Sequence, residues 1–324
     1  MELTVVIPVH RGRERALARL LRTIIAASPS ACTPIEVLII SRDLPDLEAR
    51  VRALVGSVPI SIRAAFFPTA RTLAELRNAG LRAVRTAWVH FLDSDTSLAP
   101  DHFARLEQAV RAHDPTIACF QLDFAPAPGT SGWARYEAEI DRWAIGRYIS
   151  EERVRGLNGM GVLARVEALR SLGGFDPEFV AAEDIELGYR LAQARIPVVF
   201  LRDVRIFHAY PSRWWDLLRR KFWHGQGYGQ LLLRHPTFVR EISAPPRPSL
   251  LAACRRPRFL AYALISHAVF LLGVGVALAR RLFSRRRAAL AGAPAEIPTS
   301  DSPAGTPPAP VPRRGPGDAK HEIG

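Results

Sequence analysis

Four apolar runs of strand length alternate with three amphipathic stretches in the first 92 residues, and this alternation constrains the fold more than any other feature. Residues 3–9 (LTVVIPV) are almost continuously apolar and are stopped by Pro8 and the polar pair His10-Arg11. Residues 11–27 then place Ala16, Leu17, Leu20, Leu21, Ile24 and Ile25 at helical spacing. The pattern repeats with a strand at 35–40 and a helix at 44–55, then a strand at 60–67 and a helix at 72–85. A fourth strand covers 88–92 (WVHFL). Strand–helix repeats with strands buried on both faces imply an α/β fold: an open, mostly parallel, Rossmann-like sheet flanked by helices. Ligands of such sheets bind beyond the carboxyl ends of the strands. The fourth strand runs into Asp93-Ser94-Asp95, so a carboxylate pair falls where this fold class places a site.

The remainder is less regular. A strand is expected at 117–124, a helix at 133–148, and short strands at 157–163 and 197–201 around a helix at 183–194. From about residue 212 the composition turns aromatic and basic. Residues 259–279 carry no formal charge; at ~1.5 Å per residue they reach about 31 Å, one hydrocarbon core. These shifts divide the chain into a catalytic domain at 1–211, an aromatic and basic interface segment at 212–258, a membrane helix at 259–287 and a disordered Pro-rich tail at 288–324.

Charge follows the same division. Residues 1–204 hold 25 basic and 25 acidic groups, so the whole formal charge of +13 lies in the remainder. A nucleic-acid enzyme carries basic charge around its cleft; here the front part is neutral, which argues against a nucleic-acid partner. A basic rear portion suits anionic lipid. Cys32, Cys119 and Cys254 have neither metal-ligand nor disulfide spacing and read as reduced thiols. The amino terminus lacks the basic and long apolar regions of a secretory signal. The expected location is the cytoplasmic face of the cell membrane.

Several residues could carry chemistry. Asp93 and Asp95 at a strand end can share one hard cation, Mg²⁺ or Mn²⁺, with diphosphate oxygens completing its shell; equally, Asp and Ser favour solvated turns and caps. Glu183-Asp184 opens a helix, as a general base or as acids stabilised by the helix dipole. His208 is either a metal ligand or a structural histidine. Arg77-Asn78 could meet a diphosphate or lie on a solvated helix face. Residues 213–233, with five aromatics beside Arg219, Arg220 and Lys221, suit a bilayer interface or a helix packed on the catalytic domain. Basic residues flank 259–279 on both sides, which leaves a single span, a hairpin and an in-plane helix all open.

Taken in order, these segments resemble the family 2 inverting glycosyltransferases, which have the GT-A fold. The resemblance runs from Val5 to His208. It rests on VVIPVHRGRERALARLL at 5–21, EVLII at 36–40, LRNAGLRAVRTAWVHFLDSD at 76–95, GVLARVEALRSLGGFDPEF at 161–179 and EDIELGYRL at 183–191. It implies transfer of a sugar from a nucleotide-diphosphate donor to a hydroxyl acceptor; among a lipid-linked glycan, a peptide and a small metabolite, the expected membrane proximity favours the first. By resemblance, Asp93 holds the nucleotide end of the donor, Asp95 binds the metal and His208 supplements it. Asp184 is the base, positioned by Glu183; the backbone near Pro8 meets the nucleotide base, and Arg77 lies by the base or diphosphate. One departure concerns the family's Asp-Asp-Gly-Ser after the second strand, which here reads Ser41-Arg42-Asp43-Leu44, with Asp43 as a shifted substitute. The Gln-x-x-Arg-Trp motif of processive members is absent, so non-processive transfer is expected. A metal-dependent nucleotidyltransferase and a membrane-attached inactive sugar-nucleotide binding protein are the competing readings.

Overall fold

A computed structural model describes residues 1–28, 35–56, 60–149, 154–242 and 257–290. Cys32, Cys254 and the Pro-rich tail beyond residue 290 lie outside the described residues. The chain runs β1 (Leu3–Pro8), α1 (Glu14–Ala27), β2 (Ile35–Ser41), α2 (Leu47–Val55), β3 (Ser61–Phe66), α3 (Leu73–Ala83), β4 (Trp88–Leu92), β5 (Thr96–Leu98) and α4 (His102–Ala112). It continues through β6 (Cys119–Pro126), α5 (Gly132–Ile145), β7 (Gly161–Arg165), α6 (Val166–Ser171), α7 (Glu183–Gln193) and β8 (Val198–His208). Helices α8 (Trp214–Arg234), α9 (Pro236–Ile242) and α10 (Pro257–Leu290) follow.

The eight strands form one sheet in the order β3-β2-β1-β4-β7-β6-β8-β5. Its first four strands are parallel, with Val5 opposite both Val37 and His90. β7 is antiparallel to β4 and β6, β8 runs parallel to β6, and β5 antiparallel to β8, so the sheet is mixed. The chain winds outward from β1 to β3 and returns to the other side of β1 with β4. The carboxyl ends of β1 and β4 therefore flank a topological switch point, where such sheets open a crevice.

Side-chain alternation along β1 sorts the core. Leu3, Val5 and Ile7 pack with Leu17, Leu20, Leu21 and Ile24 of α1. Val6 faces the other layer with Leu76 and Leu81 of α3 and Leu187 and Leu191 of α7. Helix α1 starts at Glu14, three residues later than its apolar period suggests, because Gly12 adopts φ +84° in a turn. β8 runs to His208, well beyond the expected 197–201; Arg205 on this strand pairs with Asp123 on β6 at 2.6 Å. α10 keeps helical structure through 288–290, the start of the expected tail.

A buried imidazole pair braces β4 from behind the crevice. His90 contacts the Val162 carbonyl at 3.1 Å through Nδ1 and His102 at 3.3 Å through Nε2. Burial pushes His90 down to about 4 and, with the His90 ring beside it, holds His102 well below the usual histidine value. Unfolded histidines protonate near 6.5, so the stability from this pair is complete above that pH and is lost as pH falls toward 4. Each histidine contributes ~1.4 kcal/mol per pH unit in that window. Urea unfolding at pH 7.5 and pH 5 should accordingly give a midpoint clearly lower at pH 5, a difference that His102→Gln reduces.

Candidate active site

The Asp93-Ser94-Asp95 turn is closed by Thr96, whose backbone N–H and hydroxyl both donate to the Asp93 carbonyl, at 3.1 and 2.8 Å. Thr96 opens β5, and its register partner on β8 is His208. That pairing, with the Ala209 N–H donating to the Asp95 carbonyl at 2.8 Å, draws His208 to the turn. Nε2 of His208 lies 3.4 Å from the Asp95 carboxylate, whose other oxygen takes an Arg13 guanidinium at 3.1 Å. Burial alone would raise the Asp95 carboxyl, but His208 and Arg13 outweigh it and hold it far below the ordinary carboxylate range.

Among the described residues, no three His, Cys, Asp or Glu side chains gather as a metal cluster. Asp95 and His208 supply two donors, an oxygen and an imidazole nitrogen. Mg²⁺ and Mn²⁺ sites for nucleotides need few protein ligands because substrate oxygens fill the remainder. The pair therefore fits a divalent cation that arrives with a diphosphate.

Asp93 is engaged differently. Its carboxylate accepts from Arg77 Nη2 at 2.8 Å, while Nη1 of the same guanidinium pairs with Glu183. Arg77 is 2% exposed and stacks 5.6 Å from the Phe175 ring centroid. Burial opposes its charge, but the carboxylates of Asp93, Glu183 and Asp184 more than restore it. Space for this arrangement comes from Gly159, where a Cβ would lie 2.7 Å from both terminal nitrogens. Neighbouring Asn78 fastens α3 to the loop before α7: its side chain donates to the Phe175 carbonyl at 2.6 Å and accepts from that residue's N–H at 2.8 Å.

Glu183 and Asp184 begin α7, and Ala182 before them adopts φ +64°. The two acids diverge in setting. Glu183 is sealed against Arg77 and pushed up to about 7, by burial first and by the nearby Asp184 charge, with Arg77 opposing. Asp184 is only half-buried; its carboxylate accepts the Gly159 N–H at 2.6 Å and the Ile185 N–H at 2.8 Å. Its carboxyl is also raised, by burial, against the pull of Arg77 and these two N–H groups. Gly188 lets α7 approach closely enough for this contact, since a Cβ there would lie 2.6 Å from Gly156 Cα.

At the ends of β1 and β2, Pro8 closes its strand and Asp43 accepts the Arg11 N–H at 3.2 Å and the Ser41 hydroxyl at 2.9 Å. Although burial raises the Asp43 carboxyl, these donors lower it on balance, and His10 sits 3.9 Å away.

Arg77, Asp93, Glu183 and Asp184 thus form one cluster, Asp95 and His208 a second beside it in the same turn, and Pro8 and Asp43 a separate edge. Arg77 is not on a solvated helix face: both its terminal nitrogens are held by the protein's own carboxylates. Sequence reading missed Arg13, Gly159 and a charged group behind His208. There Tyr210 packs edge-on to His208 at 4.5 Å and Arg220 lies 5.3 Å over the Tyr210 ring. Only the contacts reveal these residues; the basic run at 219–221 was the sole sequence signal.

The profile of Glycosyltransferase like family 2 matches residues 2–226, and the chain belongs to that family. A pre-mycofactocin glycosyltransferase of Mycobacterium tuberculosis is 28% identical over 247 residues, 72% of this chain and 48% of that protein. The chain spans about half the length of the curated relatives it matches. Among solved structures, a mannosyltransferase from Pyrobaculum calidifontis in complex with GDP-Man and Mn²⁺ superposes with TM-score 0.61 at 17% identity, covering 85% of this chain and 86% of that one. Residues 1–349 of S. aureus TarS, in complex with UDP-GlcNAc, superpose with TM-score 0.50 at 14% identity, covering 90% and 88%. The fold is the GT-A fold of these glycosyltransferases.

Proposed function

We propose that the protein is an inverting, non-processive glycosyltransferase that moves a sugar from a nucleotide-diphosphate donor to a hydroxyl acceptor, in glycolipid or cell-envelope glycan assembly at the cytoplasmic face of the membrane. The observation that carries this reading is the Arg77 guanidinium that joins Asp93 of the turn to Glu183, the residue before the half-buried Asp184.

In this reading Asp184 takes the proton of the acceptor hydroxyl as its oxygen attacks the anomeric carbon. The bond from that carbon to the diphosphate oxygen breaks on the opposite face, so the configuration inverts. Glu183 and Arg77 hold Asp184 and Asp93 in register, and the edge formed by Pro8 and Asp43 receives the nucleotide base. A divalent cation held by Asp95 and His208 would offset the charge developing on the leaving diphosphate. The mannosyltransferase neighbour is bound to GDP-Man and Mn²⁺ and TarS to UDP-GlcNAc, which supports a nucleotide-sugar donor.

The test is a panel of nucleotide sugars with Mn²⁺ or Mg²⁺, read by nucleoside diphosphate and pyrophosphate release. Nucleoside diphosphate release that chelation abolishes, and that Asp95→Ala lowers about 10²-fold or more, is expected. Pyrophosphate release would make the protein a nucleotidyltransferase, and binding without any turnover an inactive sugar-nucleotide binder.

A further inference from the structure

Helix α10 contains the apolar stretch Leu260–Phe283, of mean hydropathy 2.0 and length sufficient to cross a bilayer. How it packs bears on whether it crosses. The Tyr262 hydroxyl donates to Glu137 on α5 at 2.7 Å, and Ser266 is buried. At the middle, Gly225 and Gly273 bring the backbones of α8 and α10 into contact, a Cβ at either position striking the other helix's backbone. A Cβ at Gly229 would lie 2.6 Å from Ala277 Cβ, and Arg280 donates to Gln226 at 3.0 Å. Positions 262, 266, 270, 273, 277 and 280 recur every three or four residues and so mark one face of the helix. At ~1.5 Å per residue that face follows the catalytic domain for about 27 Å, close to the ~30 Å of a hydrocarbon core.

The surface it lies against is charged. Glu137 and Asp141 on α5 meet Lys221 on α8, each at 2.9 Å, and Arg220 reaches Asp141 at 2.8 Å. On the same α8, the half-buried Asp216 pairs with the exposed Arg219 at 3.1 Å. An upright α10 would carry this charged wall to membrane depth, where ionised side chains cost several kcal/mol each. The opposite face of α10 has no such obstacle: Leu264, Ile265, Leu271 and Leu272 are all at least half exposed, with no ionised group among them. Arg258 and Arg280 bracket this stretch of the helix, within the part of the chain that holds the whole excess of positive charge.

We propose that α10 is an in-plane membrane helix, set in the interface of an anionic bilayer by its Leu264, Ile265, Leu271 and Leu272 face and clamped by its opposite face to α5 and α8. Both ends of the helix then stay on the same side of the membrane. This rests on the membrane association proposed above but not on sugar transfer, so it stands or falls without an activity assay.

The full chain with Cys32→Ser and Cys254→Ser, in which the fully buried Cys119 stays as the unlabelled background, receives one added cysteine at Arg258 or at Arg281. Sealed inside-out membrane vesicles from expressing cells are then treated with a membrane-impermeant maleimide. Both positions should label equally without detergent; a position that labels only after detergent places the two ends on opposite sides and overturns the proposal. Separately, L271E and L272E should each weaken binding to phosphatidylglycerol vesicles about tenfold or more with the melting temperature unchanged, and wild-type binding should weaken similarly on phosphatidylcholine vesicles. Wild-type affinity in both variants, or equal affinity for the two lipids, would remove this face as the bilayer contact.

Discussion

Asp184→Asn should lower kcat by about 10³-fold while donor affinity stays within about twofold. Asparagine keeps the side-chain volume and one carbonyl oxygen for the Gly159 N–H, so the loop before β7 holds its position. What disappears is the oxygen able to take the acceptor proton. Glu183 does not substitute, because its carboxylate is sealed against Arg77. The wild-type pH profile should carry the same signature. Asp184 and Glu183 both bind protons more tightly than ordinary carboxylates, the latter near 7, so protonation as pH falls disables the pair earlier than it would in water. The acid limb of kcat/KM should therefore lie above the ~4 of an exposed carboxylate. A limb at 4 or below, or an Asp184→Asn variant of near wild-type rate, would rule out this base.

Arg77→Met should be the most destabilising single change in the crevice, by about 3–5 kcal/mol. The guanidinium is the shared cation of Asp93 and Glu183, and methionine leaves a sealed carboxylate without it. For a chain of this size that corresponds to a melting temperature lower by roughly 4–9 °C. Adding Glu183→Gln to Arg77→Met should recover much of the loss, because the orphaned charge goes with it. Arg77→Lys should recover little, since a point charge cannot hold two carboxylates through a planar fork. Calorimetry on the four proteins measures this, and equal stability of Arg77→Met and wild type would refute it.

The front half of the fold was legible because β1, β2 and β4 are buried on both faces, which demands continuous apolar runs, while β3 at the sheet edge is only partly buried. β4 was read to the residue. β8 was cut short because beyond Leu201 charged and exposed positions alternate with apolar ones, and Arg205 meets its partner Asp123 across the sheet, remote in sequence. β5 has three residues, too few for a period to show. Within the site, the acids were visible as local pairs in the sequence. Their distribution was not: Arg77 joining Asp93 to Glu183 depends on a contact across 106 residues and on the missing Cβ of Gly159.

The Tyr262–Glu137 hydrogen bond has a practical consequence for handling the protein. A hydrophobic carboxyl-terminal helix invites deletion when solubility is wanted. Here deletion would strip the cover from a fully buried acid and open the Lys221 cluster to water. The wall would then swell beside α8, whose Gly227 rests against the Ala181 carbonyl two residues before the acids of α7. Repainting the outward leucines with polar side chains, while leaving the inner stripe intact, is the route to a water-soluble form that keeps its crevice.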